Sequence, residues 1–178
     1  MKPSFHHKAL GGPYDDPVVF VRFLREKRAI LFDCGSLEAL SPGDIQKVTD
    51  VFVSHTHIDH FIGFDTLLRA LLFRDAPLSV YGPETMIEAV EGKLRGYTWN
   101  LIAEYPFRLE VFAVGKKTVR HVSFHASEGL VPRDNGTFPF QEILLKGDSF
   151  HVRAKRLSHG IPSLGFSLEE DFHININK

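Results

Sequence analysis

Within six residues, His55-Thr56-His57-Ile58-Asp59-His60, the chain places three imidazoles and one carboxylate. Imidazole nitrogen with carboxylate oxygen is the ligand set that suits Zn²⁺ and related divalent metals. In extended or turn-like backbone, side chains two apart point the same way, so His55, His57 and Asp59 can converge on one point. Four ligands exceed what one metal needs from one loop, which suggests two metals sharing it. The competing reading is a polar surface loop that is His-rich by chance. Its flanks argue against that: Val51-Phe52-Val53 is the apolar run of a buried strand, and an apolar-periodic helix follows. Strand-to-helix junctions are where α/β folds carry their chemistry.

A second informative stretch is Leu157-Ser158-His159-Gly160-Ile161-Pro162-Ser163-Leu164-Gly165-Phe166. Alone, His159 is a weak metal candidate. At a strand end, beside a site already largely assembled, it is what a third ligand to the first metal should look like. His121 and His125 share one face of a strand, two pleats apart, and read as structural. His151 falls on the solvent face of its strand, and His6, His7 and His173 are terminal. None of these is assigned to metal. Asp33, in the turn Asp33-Cys34-Gly35, either orients a ligand histidine or caps its own turn.

The elements that must position these groups follow from pattern. Phe5 to Leu10 reads as a first strand, Val18 to Leu24 as a second and Ala29 to Phe32 as its return, with Arg25-Glu26-Lys27-Arg28 a solvated hairpin connection. Ser41 is an expected N-cap with Pro42 at the first helical position. Phe61, Phe64, Leu67, Leu68, Leu71 and Leu72 recur at helical spacing, predicting one amphipathic helix with Arg69 and Arg74 toward solvent. A strand over 77–81 and a helix over about 84–94 come next. From about residue 106 the chain turns to strands, at 107–114, 118–124, 141–145 and 150–157, with Lys146-Gly147-Asp148-Ser149 a hairpin turn. The order indicates α/β layering in a single domain over 1–178.

Composition bounds the rest. The 178 residues suffice for one domain, and 43% hydrophobic with 24% charged residues is ordinary for a globular protein. A net charge of −1 gives no global drive toward nucleic acid or membrane, so such contact would need local basic patches. Those are Arg153, Lys155 and Arg156, and Lys116, Lys117 and Arg120; an ordinary solvated face is the slightly favoured reading of both. One cysteine, Cys34, excludes an intrachain disulfide and a thiolate zinc site, and reads as a small buried filler. With no signal-peptide core and no membrane-spanning run, the expected location is cytoplasmic.

His-Thr-His-Ile-Asp-His after an apolar strand, Leu31-Phe32-Asp33-Cys34-Gly35 before it, the helix from Phe61 to Leu68, and Leu157 to Phe166 together resemble the ribonuclease Z branch of the metallo-β-lactamase superfamily. The resemblance covers essentially the whole chain. It implies an αββα sandwich, of which these residues would form the N-terminal half to two-thirds. It also implies two Zn²⁺ ions, one held by His55, His57 and His159, the other by Asp59 and His60. A later bridging Asp and a final His of the family have no counterpart before Lys178, 19 residues beyond His159; Asp171 and His173 do not replace them. The second zinc should then be weak.

The chemistry implied is metal-assisted hydrolysis of a phosphodiester in RNA, including a tRNA 3′ end, with Asp59 orienting or deprotonating the attacking water. A half-sandwich is expected to expose apolar sheet surface, covered in a homodimer or by a partner that supplies the missing half. Within the resembled superfamily, a hydrolase of a small ester, lactone or thioester is the competing enzymatic reading, and a metal-binding half-domain without turnover is the non-enzymatic one.

Overall fold

Strand β2 (Val18–Phe23) is buried at four of its six positions, and β3 (Ala29–Phe32) is buried almost throughout, so both suit a sheet covered on two sides. The computed structural model describes residues 4–171; His173, left unassigned above, lies outside them. With β1 (Phe5–Leu10), β4 (Val48–Phe52), β5 (Leu78–Pro83), β6 (Arg108–Val114), β7 (Thr118–His125) and β8 (Pro132–Pro139), these strands form one eight-stranded sheet in sequence order. The pairs β3–β4, β4–β5 and β5–β6 are parallel. The outer pairs are antiparallel.

Because side chains alternate along a strand, the central strands have two different faces. Val51 and Val53 of the β4 segment, Val80 of β5 and Val111 of β6 pack under the helices α3 (Phe64–Leu71) and α4 (Met86–Arg95). The short helices α1 (Pro42–Ile45) and α2 (Ile58–Phe61) add Ile45 and Phe61 to that same layer. Ser41 caps α1 by accepting from the Asp44 amide at 3.1 Å, as its sequence predicts.

On the other face a row of rings runs across five strands in register: Phe32, Phe52, Tyr81, Phe112 and His121. Their centroids are 5.3, 4.6, 4.7 and 4.4 Å apart. A three-stranded sheet, ordered β11 (Pro162–Glu170), β10 (Phe150–Ser158) and β9 (Ile143–Lys146), covers this face. Phe150, Val152, Phe166 and Leu168 from it pack on Val21, Phe23, Ile30, Phe52 and Tyr81. The layers are therefore helix, sheet, sheet.

Four expectations change. The predicted single helix breaks into α2 and α3 at Gly63, whose amide donates to the Cys34 carbonyl (2.8 Å) and whose Cα leaves no room for a side chain against Gly35. Arg74 does not face solvent: its guanidinium donates to the carbonyls of Gln46, Val48, Ala76 and Pro77, closing the end of α3. Arg28, expected in a solvated turn, pairs with buried Asp50 at 2.7 Å and lies over the Phe150 ring at 5.1 Å. Finally, the bare sheet face is not apolar. The outward residues of β10 and β11 include His151, Arg153, Lys155, Ser167 and Glu169, with Leu157 and, opposite Arg153 on β9, Ile143 the exposed aliphatics beside them.

Candidate metal centre

The site is built at one end of the central parallel strands. β4 ends at Phe52, the Val53 amide still donates to the Tyr81 carbonyl (2.8 Å), and the chain then leaves the sheet through Ser54, His55 and Thr56. His57 takes extended backbone at the N-cap of α2 (φ −65°, ψ 152°). His55 is therefore buried at 7% exposure, whereas His57 opens to solvent.

The third histidine arrives from the other sheet. β10 and β11 form a hairpin whose turn is His159-Gly160-Ile161, with Gly160 at φ +75°, a value that favours glycine. The Leu164 amide on β11 donates to the Ser54 carbonyl at 2.9 Å. This bond holds the hairpin against the loop, and one ligand nitrogen from each of His55, His57 and His159 lies within 4.8 Å of the others. The His55 and His159 rings are 4.9 Å apart, and His55 Nε2 is 3.1 Å from His57 Nδ1.

The two other residues of the loop form a neighbouring pair. His60 Nε2 lies 3.4 Å from Asp59 Oδ2, and the His60 ring is 4.0 Å from that of His55. His60 Nδ1 faces Asp33 Oδ2 at 2.9 Å, while Asp33 Oδ1 accepts from the Ser54 amide at 2.7 Å. Asp33 thus orients a histidine, the first of the two roles weighed for it, and its other oxygen ties down the loop after β4 rather than its own turn. Its backbone at φ 58° is unusual for a residue with a side chain and is held by its amide bond to Phe52 O (2.8 Å). The Cys34 amide donates to His60 O (2.9 Å), so the turn after β3 and the loop after β4 are laced together.

Burial first, and then the neighbouring imidazoles of His60, His57 and His159, hold His55 below the usual histidine pKa. Both influences favour the neutral ring, the form a metal requires. Ser54, not singled out by spacing, is the residue the sequence did not disclose. Its Oγ lies 2.9 Å from His55 Nδ1 and 3.2 Å from His60 Nδ1; a hydroxyl before the first histidine is its one signal in the sequence.

The histidines set aside for structure have other partners. His121 meets Glu110 at 2.6 Å and His151 meets Asp171 at 3.0 Å, with His125 3.9 Å from Glu128. Half of the basic residues weighed for RNA are paired: Arg153 with Glu169, Arg156 with Glu84 and Arg120 with Asp134. Among the described residues, Lys116, Lys117 and Lys155 have no carboxylate partner.

A layered α/β protein with imidazoles converging at strand ends from two sheets defines a class of metal-site proteins. The chain belongs to the metallo-beta-lactamase superfamily, whose family model matches residues 11–122. Ribonuclease Z of Deinococcus radiodurans is 28% identical over 174 residues, covering 94% of this chain and 53% of that protein. Ribonuclease Z of Methanosarcina mazei is 33% identical over 150 residues, covering 80% of this chain and 39% of that protein. The chain thus spans about half the length of the relatives it matches, or less. Among solved structures, the short form of human tRNase Z superposes with a TM-score of 0.56 at 21% identity, covering 86% of this chain and 58% of that one. A diphosphatase of the PhnP family gives a TM-score of 0.54 at 18% identity, covering 86% and 49%. The fold expected from the sequence is thereby borne out. The described residues supply the first helix layer, the large sheet and three strands of the second, and all four helices lie on one side.

Proposed function

We propose that this single domain, residues 1–178, carries the zinc site of a phosphodiester hydrolase acting on RNA, with a tRNA 3′ end as the favoured substrate. The observation that carries the reading is the convergence of His55, His57 and His159 from two sheets. Relatives named ribonuclease Z support the substrate class.

The donor set fits zinc. Three imidazole nitrogens are the ligand set of catalytic zinc, and nearby Asp59 supplies a carboxylate oxygen. Asp59 and His60 form a second, thinner ligand pair. When bound, zinc supplies the Lewis acidity that activates water and neutralises phosphate. The residues do the rest. Asp33 accepts from His60 Nδ1 and turns Nε2 toward the site. Asp59, with its side chain half exposed, is placed to orient the attacking water and take its proton. The unpaired lysines, Lys155 foremost, offer charge to a phosphate backbone.

Two ligands are few for a second metal. The reading therefore includes a homodimer, or a partner that completes the centre, in a cytoplasmic setting consistent with one buried thiol. Zinc per chain, measured by elemental analysis on wild type and on His55→Ala, tests the site. Cleavage of pre-tRNA against bis(p-nitrophenyl) phosphate and a lactone tests the substrate. Zinc well below one per chain, unchanged by His55→Ala, overturns the metal reading; preference for the lactone overturns the RNA one. Zinc uptake with no turnover on any substrate marks a half-domain that acts only when completed.

A further inference from the structure

Ser54 makes contacts that its position in the loop alone does not explain. Its amide is held by Asp33 Oδ1 (2.7 Å) and its carbonyl by the Leu164 amide (2.9 Å), so both ends of its backbone are pinned. The hydroxyl is left between two histidines of the loop, 2.9 Å from His55 Nδ1 and 3.2 Å from His60 Nδ1. A serine hydroxyl offers one donor hydrogen and two acceptor lone pairs.

The two histidines differ in what else they can reach. His60 Nδ1 already faces the Asp33 carboxylate at 2.9 Å. A carboxylate only accepts, so that nitrogen carries the hydrogen whether or not Ser54 is present. His55 is buried, and its Nδ1 faces the Ser54 hydroxyl. Its Nε2 points instead toward His57 Nδ1 (3.1 Å). A neutral imidazole has one hydrogen to place. If it sits on Nδ1 and is donated to Ser54 Oγ, Nε2 presents a lone pair to the space between His57 and His159. If the hydroxyl donates to Nδ1 instead, Nε2 carries the hydrogen and is closed to a metal.

We infer that Ser54 is a positioning residue: its hydroxyl accepts the Nδ1 hydrogen of His55, and so selects Nε2 as the nitrogen that His55 presents to the site. The inference deepens the zinc reading and rests on it for its consequence, but the hydrogen's position is a property of the metal-free chain. The same serine, through Leu164, also ties the hairpin bearing His159 to the loop bearing His55. The nitrogen that is presented and the ligand it must meet are thus set by one residue.

Long-range ¹H–¹⁵N correlation NMR on the histidine-labelled, metal-free chain reads the tautomer directly. His55 is expected to carry its hydrogen on Nδ1, and its Nε2 resonance to move on adding zinc. In Ser54→Ala the Nδ1 preference should be lost, and zinc affinity by chelator competition should fall roughly 10–100-fold; Ser54→Thr, which keeps the hydroxyl, should restore both. Hydrogen on His55 Nε2 in the wild type overturns the inference. So does a folded Ser54→Ala with unchanged tautomer and unchanged affinity. If Ser54→Ala does not fold, the wild-type and Ser54→Thr spectra still decide. A wild type that shows the Nδ1 hydrogen yet takes up no zinc removes the metal reading and leaves the role of Ser54 standing.

Discussion

The amide of Leu164 donates to the carbonyl of Ser54 at 2.9 Å, and this one bond joins the two sheets where the histidines meet. Otherwise the β10–β11 hairpin is fixed to the large sheet by apolar packing and by side-chain contacts such as Arg156–Glu84 at 2.9 Å, and these do not specify position along the strand direction as a backbone hydrogen bond does. The exposed His159 is thereby brought into ligand distance of His55 and His57.

His159→Ala should test this convergence with little structural cost, because the residue is exposed in a hairpin turn. Zinc affinity should fall by more than the roughly 10–100-fold that loss of a ligand's hydrogen-bond partner costs. Chelator competition reads the affinity, and an unchanged far-UV CD spectrum checks the fold.

Asp50→Ala should destabilise the chain at the far end of the same layer. It leaves the Arg28 guanidinium against Phe150 without its counter-charge, in a pair whose side chains are 22% and 5% exposed. Breaking such a pair costs on the order of 3 kcal/mol, readable as a lower urea midpoint. Because Phe150 begins β10 and His159 follows its end, zinc affinity should drop in parallel.

Gly63→Ala should be costlier than an ordinary helix-boundary change. The added methyl runs into the Gly35 carbonyl, and backbone on both sides cannot give way. A loss of about 1–3 kcal/mol is expected for forced overpacking, measured by thermal or urea unfolding and accompanied by weaker zinc binding.

Cys34 gives a pH test. Burial pushes its thiol up to about 12 from an ordinary 9.0, so the folded state holds the proton where the unfolded chain releases it. Stability is therefore unaffected by this group below about pH 9 and declines above it, as the unfolded thiol ionises. At pH 8 the native thiol should resist iodoacetamide and react only in denaturant, as mass spectrometry would show.

The loop from His55 to His60 was legible because its ligands are local in sequence and bounded by a buried strand, and the large sheet because its strands alternate or run apolar. What stayed hidden is held by distant partners. β8, Pro132-Arg-Asp-Asn-Gly-Thr-Phe-Pro139, is exposed throughout and lacks strand pattern; pairing with β7 makes it a strand. β11 opens on Pro162, a residue that ordinarily reads as a strand breaker, yet nine residues from it onward pair with β10. Arg28 and Arg74 look solvent-bound in sequence because neither Asp50 nor the carbonyls of residues 46 and 48 are near them along the chain. Ser54 was silent for the same reason, since two of its four partners, Asp33 and Leu164, come from elsewhere in the fold.

The row of Phe32, Phe52, Tyr81, Phe112 and His121 has a consequence for accuracy. Five rings stacked across five strands act as a ruler. Sliding any one strand by a residue would turn its ring toward the helices and advance its end by about 3.3 Å. Phe52 lies three positions before His55, so a slip of β4 would carry the first histidine out of reach of the other two. The aromatic row thus calibrates, from inside the sheet, where the chemistry begins.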